Sequence, residues 1–180
     1  MEVLDRPLPR ATFEDLALPL FDQLYNFACW LTEDTTEAED LVQETYVKAL
    51  RGFSSFQAGT NFRAWIYRIL RNSFLSSRTG LKTMVSFDEE DSVVIESPET
   101  SPESALMELA DRERVQQALE ELPVHFREIL LLCEVEEMSY QEIAETLSIA
   151  PGTVMSRLFR ARKALRVLLE KKLQGKTHGM

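Results

Sequence analysis

Apolar residues recur along this chain at spacings of three and four rather than two, so every convincing period is helical. Phe13, Leu16, Ala17, Leu20, Phe21, Leu24, Phe27, Ala28 and Leu31 form the first stripe. Pro19 removes a backbone donor inside that stripe and predicts a kink or a split. Thr36 followed by Glu39 reads as a capping box for a second helix, with Ala38, Leu41, Val42, Ala49 and Leu50 turned inward and Gly52 as its stop. Asn61 is placed to cap a third helix running to about Ser77, whose inner face is Phe62, Trp65, Ile66, Ile69 and Leu70.

From Leu81 to Pro102 the period breaks. Asp88-Glu89-Glu90-Asp91, Pro98 and Pro102, set among Ser and Thr, predict an extended acidic linker that buries little apolar surface. A helix then begins near Ser104, with Leu106, Leu109, Ala110, Ala118 and Leu119 at helical spacing. Pro123 suits the first position of the next helix, whose apolar side includes Phe126, Ile129, Leu130 and Cys133. Two more helices are expected at about 139–147 and 152–172. The pattern therefore predicts an all-α chain of two small helical domains, 10–80 and 104–174, joined by a linker at 81–103. Each domain lies near the lower size limit for folding alone, so partner contacts are expected to help stabilise both.

Composition narrows the function classes. A chain of 180 residues with 44% hydrophobic and 28% charged residues is ordinary globular protein. Its longest strictly apolar run, Ile129 to Cys133, is far short of the ~20 residues of a membrane span, and the first residues lack the layout of a secretory signal. Cys29 and Cys133 form no CxxC, and His125 and His178 have no metal-ligand spacing, so neither a disulfide scaffold nor a zinc site is expected. Both cysteines fall on apolar helix faces and read as small core residues. A soluble cytoplasmic protein without cofactor or metal is the expectation.

The net charge of −10 conceals a segregation. Residues 81–122 carry 12 acidic and 3 basic side chains, whereas 151–180 carry 8 basic and 1 acidic. A second basic island, Asn61 to Gly80, holds Arg63, Arg68, Arg71 and Arg78 and no acid. Two basic islands separated by an acidic stretch imply two polyanion-facing surfaces.

The C-terminal island sits on a helix-turn-helix pattern. Ser139 to Leu147, the turn Ser148-Ile149-Ala150-Pro151-Gly152, and Thr153 onward have its spacing, with Ser148 where a glycine is common. Ala144 lies where the two helices must approach closely, and Leu147, Ile149, Val154 and Leu158 supply the shared core. Projected at 100° per residue, the second helix turns Val154, Leu158, Ala161, Leu165, Leu168 and Leu169 inward. Met155, Ser156, Phe159, Arg160, Lys163 and Arg166 face out. Arg reads guanine edges, Phe meets a thymine methyl and Lys suits phosphate, so this face fits duplex DNA. On the third helix, Arg63, Tyr67, Arg71, Phe74 and Arg78 share another arc. Arginines that track phosphates, alternating with rings that stack on unpaired bases, fit a single strand.

Three motifs, in order, carry a resemblance. They are Glu39-Asp40-Leu41-Val42-Gln43-Glu44-Thr45, Gly59 through Asn72, and Gly152 through Leu165. Together they resemble bacterial extracytoplasmic-function (ECF, group 4) sigma factors of the sigma-70 family, over roughly residues 12–172. The resemblance implies a region-2 domain and a region-4 domain that bind core RNA polymerase through its β′ clamp and β subunits. It assigns Asp40, Gln43 and Glu44 to the polymerase-binding face. Asn61, Arg63, Tyr67, Arg71 and Phe74 are assigned to −10 recognition and strand melting. Thr153, Ser156, Arg157, Phe159, Arg160 and Lys163 are assigned to the −35 element, with Met155 where many relatives have Lys or Arg. It further implies that the acidic linker threads the polymerase cleft as an RNA-like chain, and that an anti-sigma factor sequesters the protein.

Two other readings are open to the sequence. A stand-alone helix-turn-helix regulator explains the C-terminal half but gives Arg63, Tyr67 and Arg71 no role. A magnesium enzyme built on Asp88 to Asp91 lacks a rigid scaffold to converge its carboxylates.

Overall fold

The structure, a computed structural model, describes residues 11–79 and 107–174. Among these residues every regular element is helical. The linker expected at 81–103, with Asp88 to Asp91, lies outside the described residues.

Helix α1 (Phe13–Ala17) opens on a capping box in which the Thr12 hydroxyl accepts the Asp15 N–H and the Asp15 carboxylate accepts the Thr12 N–H. Pro19 sits in a 3-10 turn, Leu18–Leu20, that separates α1 from α2 (Phe21–Thr32), as its missing donor requires. Glu33 then adopts the left-handed conformation, φ 61°, and its N–H closes α2 on the Cys29 carbonyl. Helix α3 (Thr35–Gly52) is capped by Asp34, whose carboxylate accepts the Glu37 N–H at 2.8 Å, and not by the expected Thr36 and Glu39. Asp34 still has extended backbone (φ −139°, ψ 128°), the geometry a cap needs, while Thr36 is already helical.

Helix α4 (Phe62–Thr79) begins where the Asn61 side chain accepts the Ala64 N–H at 3.0 Å, as expected. Leu24, Phe27, Leu31, Leu41, Val42, Ile66 and Leu70 are buried where α2, α3 and α4 meet. Phe13, Phe53, Phe56, Phe62 and Trp65 close the loop end of this bundle with neighbouring ring centroids 5.1–6.2 Å apart: Phe62 meets Phe13, Phe53 and Phe56 edge-to-face, Phe53 stacks on Phe56, and Trp65 tilts against Phe56 and Phe62.

The second bundle holds α5 (Met107–Glu121), α6 (Val124–Leu130), α7 (Tyr140–Leu147) and α8 (Pro151–Gln174). The described part of α5 begins at Met107, so its expected start near Ser104 lies outside the described residues, and Pro123 is the residue before α6, not its first. Leu131–Val135 forms a π-helical turn, in which the Glu136 N–H reaches back five residues to the Leu131 carbonyl. Glu136, directly after that turn, meets the first bundle through Arg63 and Tyr67. Helix α8 lies across α5, α6 and α7, and the two bundles meet with α4 on α7 and α2 on α6.

Candidate polymerase and nucleic-acid interfaces

Helix α3 buries Ala38, Leu41, Val42, Thr45 and Ala49. Thr45 tolerates the core because its hydroxyl donates to the Leu41 carbonyl at 2.7 Å. Asp40, Gln43 and Glu44 therefore stand exposed on the opposite side, with Glu44 paired to Lys48 one turn on. Val47 and Leu50 extend that exposed side with bare apolar surface. Leu50, expected inside, is 57% exposed, while its neighbour Ala49 is buried. The α3 face thus combines acidity with an apolar strip that the sequence pattern did not single out.

On α4, Asn61, Arg63, Tyr67 and Arg71 do come to one side, and that side faces the second bundle. Arg71 makes a two-pronged ion pair with Glu128, Nε and Nη2 donating at 2.7 and 2.9 Å. Arg63 donates through Nη2 to the Glu136 carboxylate at 3.0 Å and to its carbonyl at 2.7 Å. The Tyr67 hydroxyl donates to the same carboxylate at 2.5 Å, and Asn61 donates its amide to Glu142 at 2.9 Å. Tyr67 is fully buried against Phe27, and burial followed by the Glu136 contact raises its phenol far above the ordinary value. Phe74 lies in the core and not on this surface, as does Tyr67's ring, because α4 is covered from two sides.

Beside Asn61 the loop before α4 leaves a groove of about 370 Å³, whose lining includes Phe56, Thr60, Trp65 and Arg68. Gly59, at φ 91°, makes the turn at its rim, a conformation that side chains rarely adopt. Phe56, Trp65 and Arg68 were not singled out as site residues by the helical projection, which placed Trp65 inside.

The helix-turn-helix forms as its spacing predicts. Ser139 and Glu142 make a capping box on α7, and the carboxyl of Glu142 is held below its usual range by the Ser139 N–H and then by the Asn61 amide. Ser148 takes the left-handed turn conformation, φ 55° and ψ 45°, and the Ile149 N–H closes on the Ala144 carbonyl at 3.0 Å. Ile143, Ala144, Leu147, Val154, Leu158 and Ala161 are buried together. Thr153, Met155, Ser156, Phe159 and Arg160 are exposed on the outer side of α8, and Lys163 is half-buried. Arg157 is half-buried at the seam with α4. Burial lowers its guanidinium from the ordinary value, against the pull of Glu128, while Arg71 and Arg160 repel it.

Among the described residues no group of His, Cys, Asp or Glu is placed to hold a metal ion, and no helix is long and apolar enough to cross a membrane.

Comparison with known proteins agrees with this arrangement. Residues 19–82 match the family model for sigma-70 region 2, and residues 112–165 that for sigma-70 region 4. The chain is 36% identical to the ECF RNA polymerase sigma factor SigE of Mycolicibacterium smegmatis, over 95% of this chain and 71% of that protein. It is 31% identical to the RNA polymerase sigma factor YlaC of Bacillus subtilis, over 87% of this chain and 91% of that one. Among solved structures, the sigma factor RpoE in complex with the anti-sigma factor NepR, from Bartonella quintana, superposes with a TM-score of 0.64 and 31% identity, covering 87% of this chain and 98% of that one. CnrH in complex with the cytosolic domain of CnrY gives a TM-score of 0.65 at 26% identity, covering 88% of each chain. The chain belongs to the sigma-70 family and is a sigma factor of the extracytoplasmic-function group.

Proposed function

We propose that this sigma factor docks on core RNA polymerase in the cytoplasm through the exposed face of α3, with Asp40, Gln43 and Glu44 supplying charge and Val47 and Leu50 apolar contact. The α8 face bearing Thr153, Ser156, Arg157, Phe159, Arg160 and Lys163 reads the −35 duplex. The groove at Asn61 and the Arg63, Tyr67 and Arg71 side of α4 take the −10 strand as it separates. One observation carries the reading: the donors on α4 converge on anions, each meeting a carboxylate wherever the second bundle brings one near. A solvated basic surface has no reason to gather them so. A stand-alone duplex reader would give this face and the α3 face no work.

An anti-sigma factor is proposed as the inhibitor. The Bartonella quintana relative was solved with one, and two small bundles offer it faces to cover. Asp88 to Asp91 is proposed to act as a transcript-like strap in the polymerase.

The test is retention of core polymerase by the immobilised chain. Asp40→Lys/Glu44→Lys should lower retention at least tenfold while leaving −35 duplex binding intact. Equal retention would remove α3 as the docking face.

A further inference from the structure

The −35 reading gives no work to Met155, although that side chain stands 60% exposed on the outer face of α8. Val154 and Leu158 are buried, so α8 has already turned its packing face to the other helices of the second bundle. The helical period itself, and not loose packing, holds Met155 out. Phe159 follows one turn on, 37% exposed. At 100° and 1.5 Å per residue the two lie about 40° apart round the helix and about 6 Å apart along it. They form an apolar ridge within the first three turns of α8, the part of a recognition helix that enters the major groove.

The surroundings of the ridge say what covers it. Thr153, Ser156 and Arg160 are exposed beside it, and Arg166 continues its line two turns beyond Phe159. No acidic residue occurs from Pro151 to Leu169, so the occupant is a polyanion. From Pro151 to Ser156 there is also no cation, so the start of α8 holds no side-chain charge for a phosphate or a guanine edge. The Ser156 hydroxyl donates to the Thr153 carbonyl at 3.1 Å, which leaves its oxygen as an acceptor towards a ligand. At Gly152 even an added Cβ would meet nothing within 4 Å, so the approach is open. A polyanion that also offers apolar groups to a helix in its groove is duplex DNA, and those groups are the C5-methyls of its pyrimidines.

We propose that Met155 is a specificity-determining residue of the −35 interface. With Phe159 it forms a ridge that takes the C5-methyl groups of two pyrimidines. A separation of about 6 Å, against a rise of about 3.4 Å per base, places those pyrimidines one or two base pairs apart. Thymine and 5-methylcytosine present the same methyl, so methylation of a cytosine at these positions strengthens binding. The inference rests on α8 being the −35 reader.

The test selects duplexes bound by the full chain from a randomised pool. Each thymine of the selected site is then replaced by deoxyuridine, which removes the methyl and keeps every hydrogen-bonding group, and fluorescence anisotropy reads the affinity. Binding should weaken about three- to fivefold at each of two positions, the effect of burying one methyl group. Met155→Lys should erase the thymine–deoxyuridine difference at one position and Phe159→Ala at the other, with circular dichroism unchanged because both side chains are exposed. A second arm places cytosine, then 5-methylcytosine, at the same two positions. A three- to fivefold gain on methylation supports a ridge that accepts the methyl from either base, while a methyl effect confined to thymine supports the contact and fixes its source. Deoxyuridine bound as tightly as thymine at every position overturns the proposal. A difference that survives both substitutions overturns it too, because the methyl is then read elsewhere. Arg160→Ala separates this from a failure of the −35 reading. If it abolishes the selected preference while deoxyuridine is silent, α8 reads the duplex without its methyls; if the preference is unmoved, or no duplex is selected, α8 is not the reader.

Discussion

Ala144→Leu tests the helix-turn-helix at its tightest point. Ala144 is 4% exposed, among Ile143, Leu147, Val154 and Leu158. Its carbonyl accepts the Ile149 N–H, so the backbone at the turn is pinned and cannot retreat to admit a larger side chain. Extra methylenes in such a site cost about 1–3 kcal/mol through forced rotamers and backbone shift. That is roughly a 5- to 150-fold loss in the folded-to-unfolded ratio of the second bundle. Trp30 and Trp65, the two tryptophans of the chain, both report on the first bundle, whereas far-ultraviolet circular dichroism reports on both. In a urea titration the dichroism should begin to fall earlier in the variant while tryptophan fluorescence shifts less. Binding to a −35 duplex should weaken in parallel, because α8 is pushed off its register with Thr153, Ser156 and Arg160. Ala144→Gly supplies the control, since it costs about 1 kcal/mol of helix propensity without adding volume. If Leu at 144 leaves both the urea profile and duplex binding unchanged, the close approach of α7 and α8 is not what the second bundle depends on.

Phe159→Ala should cost about 1 kcal/mol or more of −35 discrimination in a gel-shift competition, with thermal stability unmoved, because the ring is partly exposed on the outer side of α8. Tyr46→Phe removes the hydroxyl that donates to the buried Ala17 carbonyl at 2.6 Å, and should destabilise the first bundle by about 1–2 kcal/mol in thermal unfolding. The carboxyls of Glu142 and Asp15 are both held below their ordinary values, 4.5 and 3.8, by backbone N–H groups at helix starts. Their stabilisation is complete above those values and is lost as pH falls through the lower folded ones, so the urea midpoint should drop below about pH 4. Glu142→Gln should flatten part of that slope, since an amide still accepts at the cap but does not titrate.

The period of three and four made the helices legible, and Pro19, Asn61 and Ala144 each did the local job their chemistry announced. What misled was reading each helix as if it had one inside. A projection from Phe62 sends Tyr67 and Phe74 outward, but α4 is covered by α2 and α3 on one side and by the second bundle on another, so both are buried. The covering could not be read locally, since Glu128 and Glu136 meet Arg71 and Arg63 across 57 and 73 residues of chain. Leu50 shows the opposite error: an apolar residue at a plausible inward position lies bare, which is the exception that suits the docking proposed for α3. Asp34 displaced Thr36 as the cap of α3 because the Thr32 hydroxyl, which donates to the Asp34 carbonyl and accepts its N–H, already holds that turn in place.

The most direct measurement is run-off transcription by purified core polymerase on a template carrying spaced −35 and −10 elements selected from randomised sequence, with the chain added or withheld. A discrete transcript that requires the chain, weakens with Phe159→Ala and fails with Asp40→Lys/Glu44→Lys is what two DNA faces and one docking helix on a single molecule must yield. Core polymerase that starts at the same places and frequencies with the chain as without it would contradict the account, however tightly α8 held its duplex.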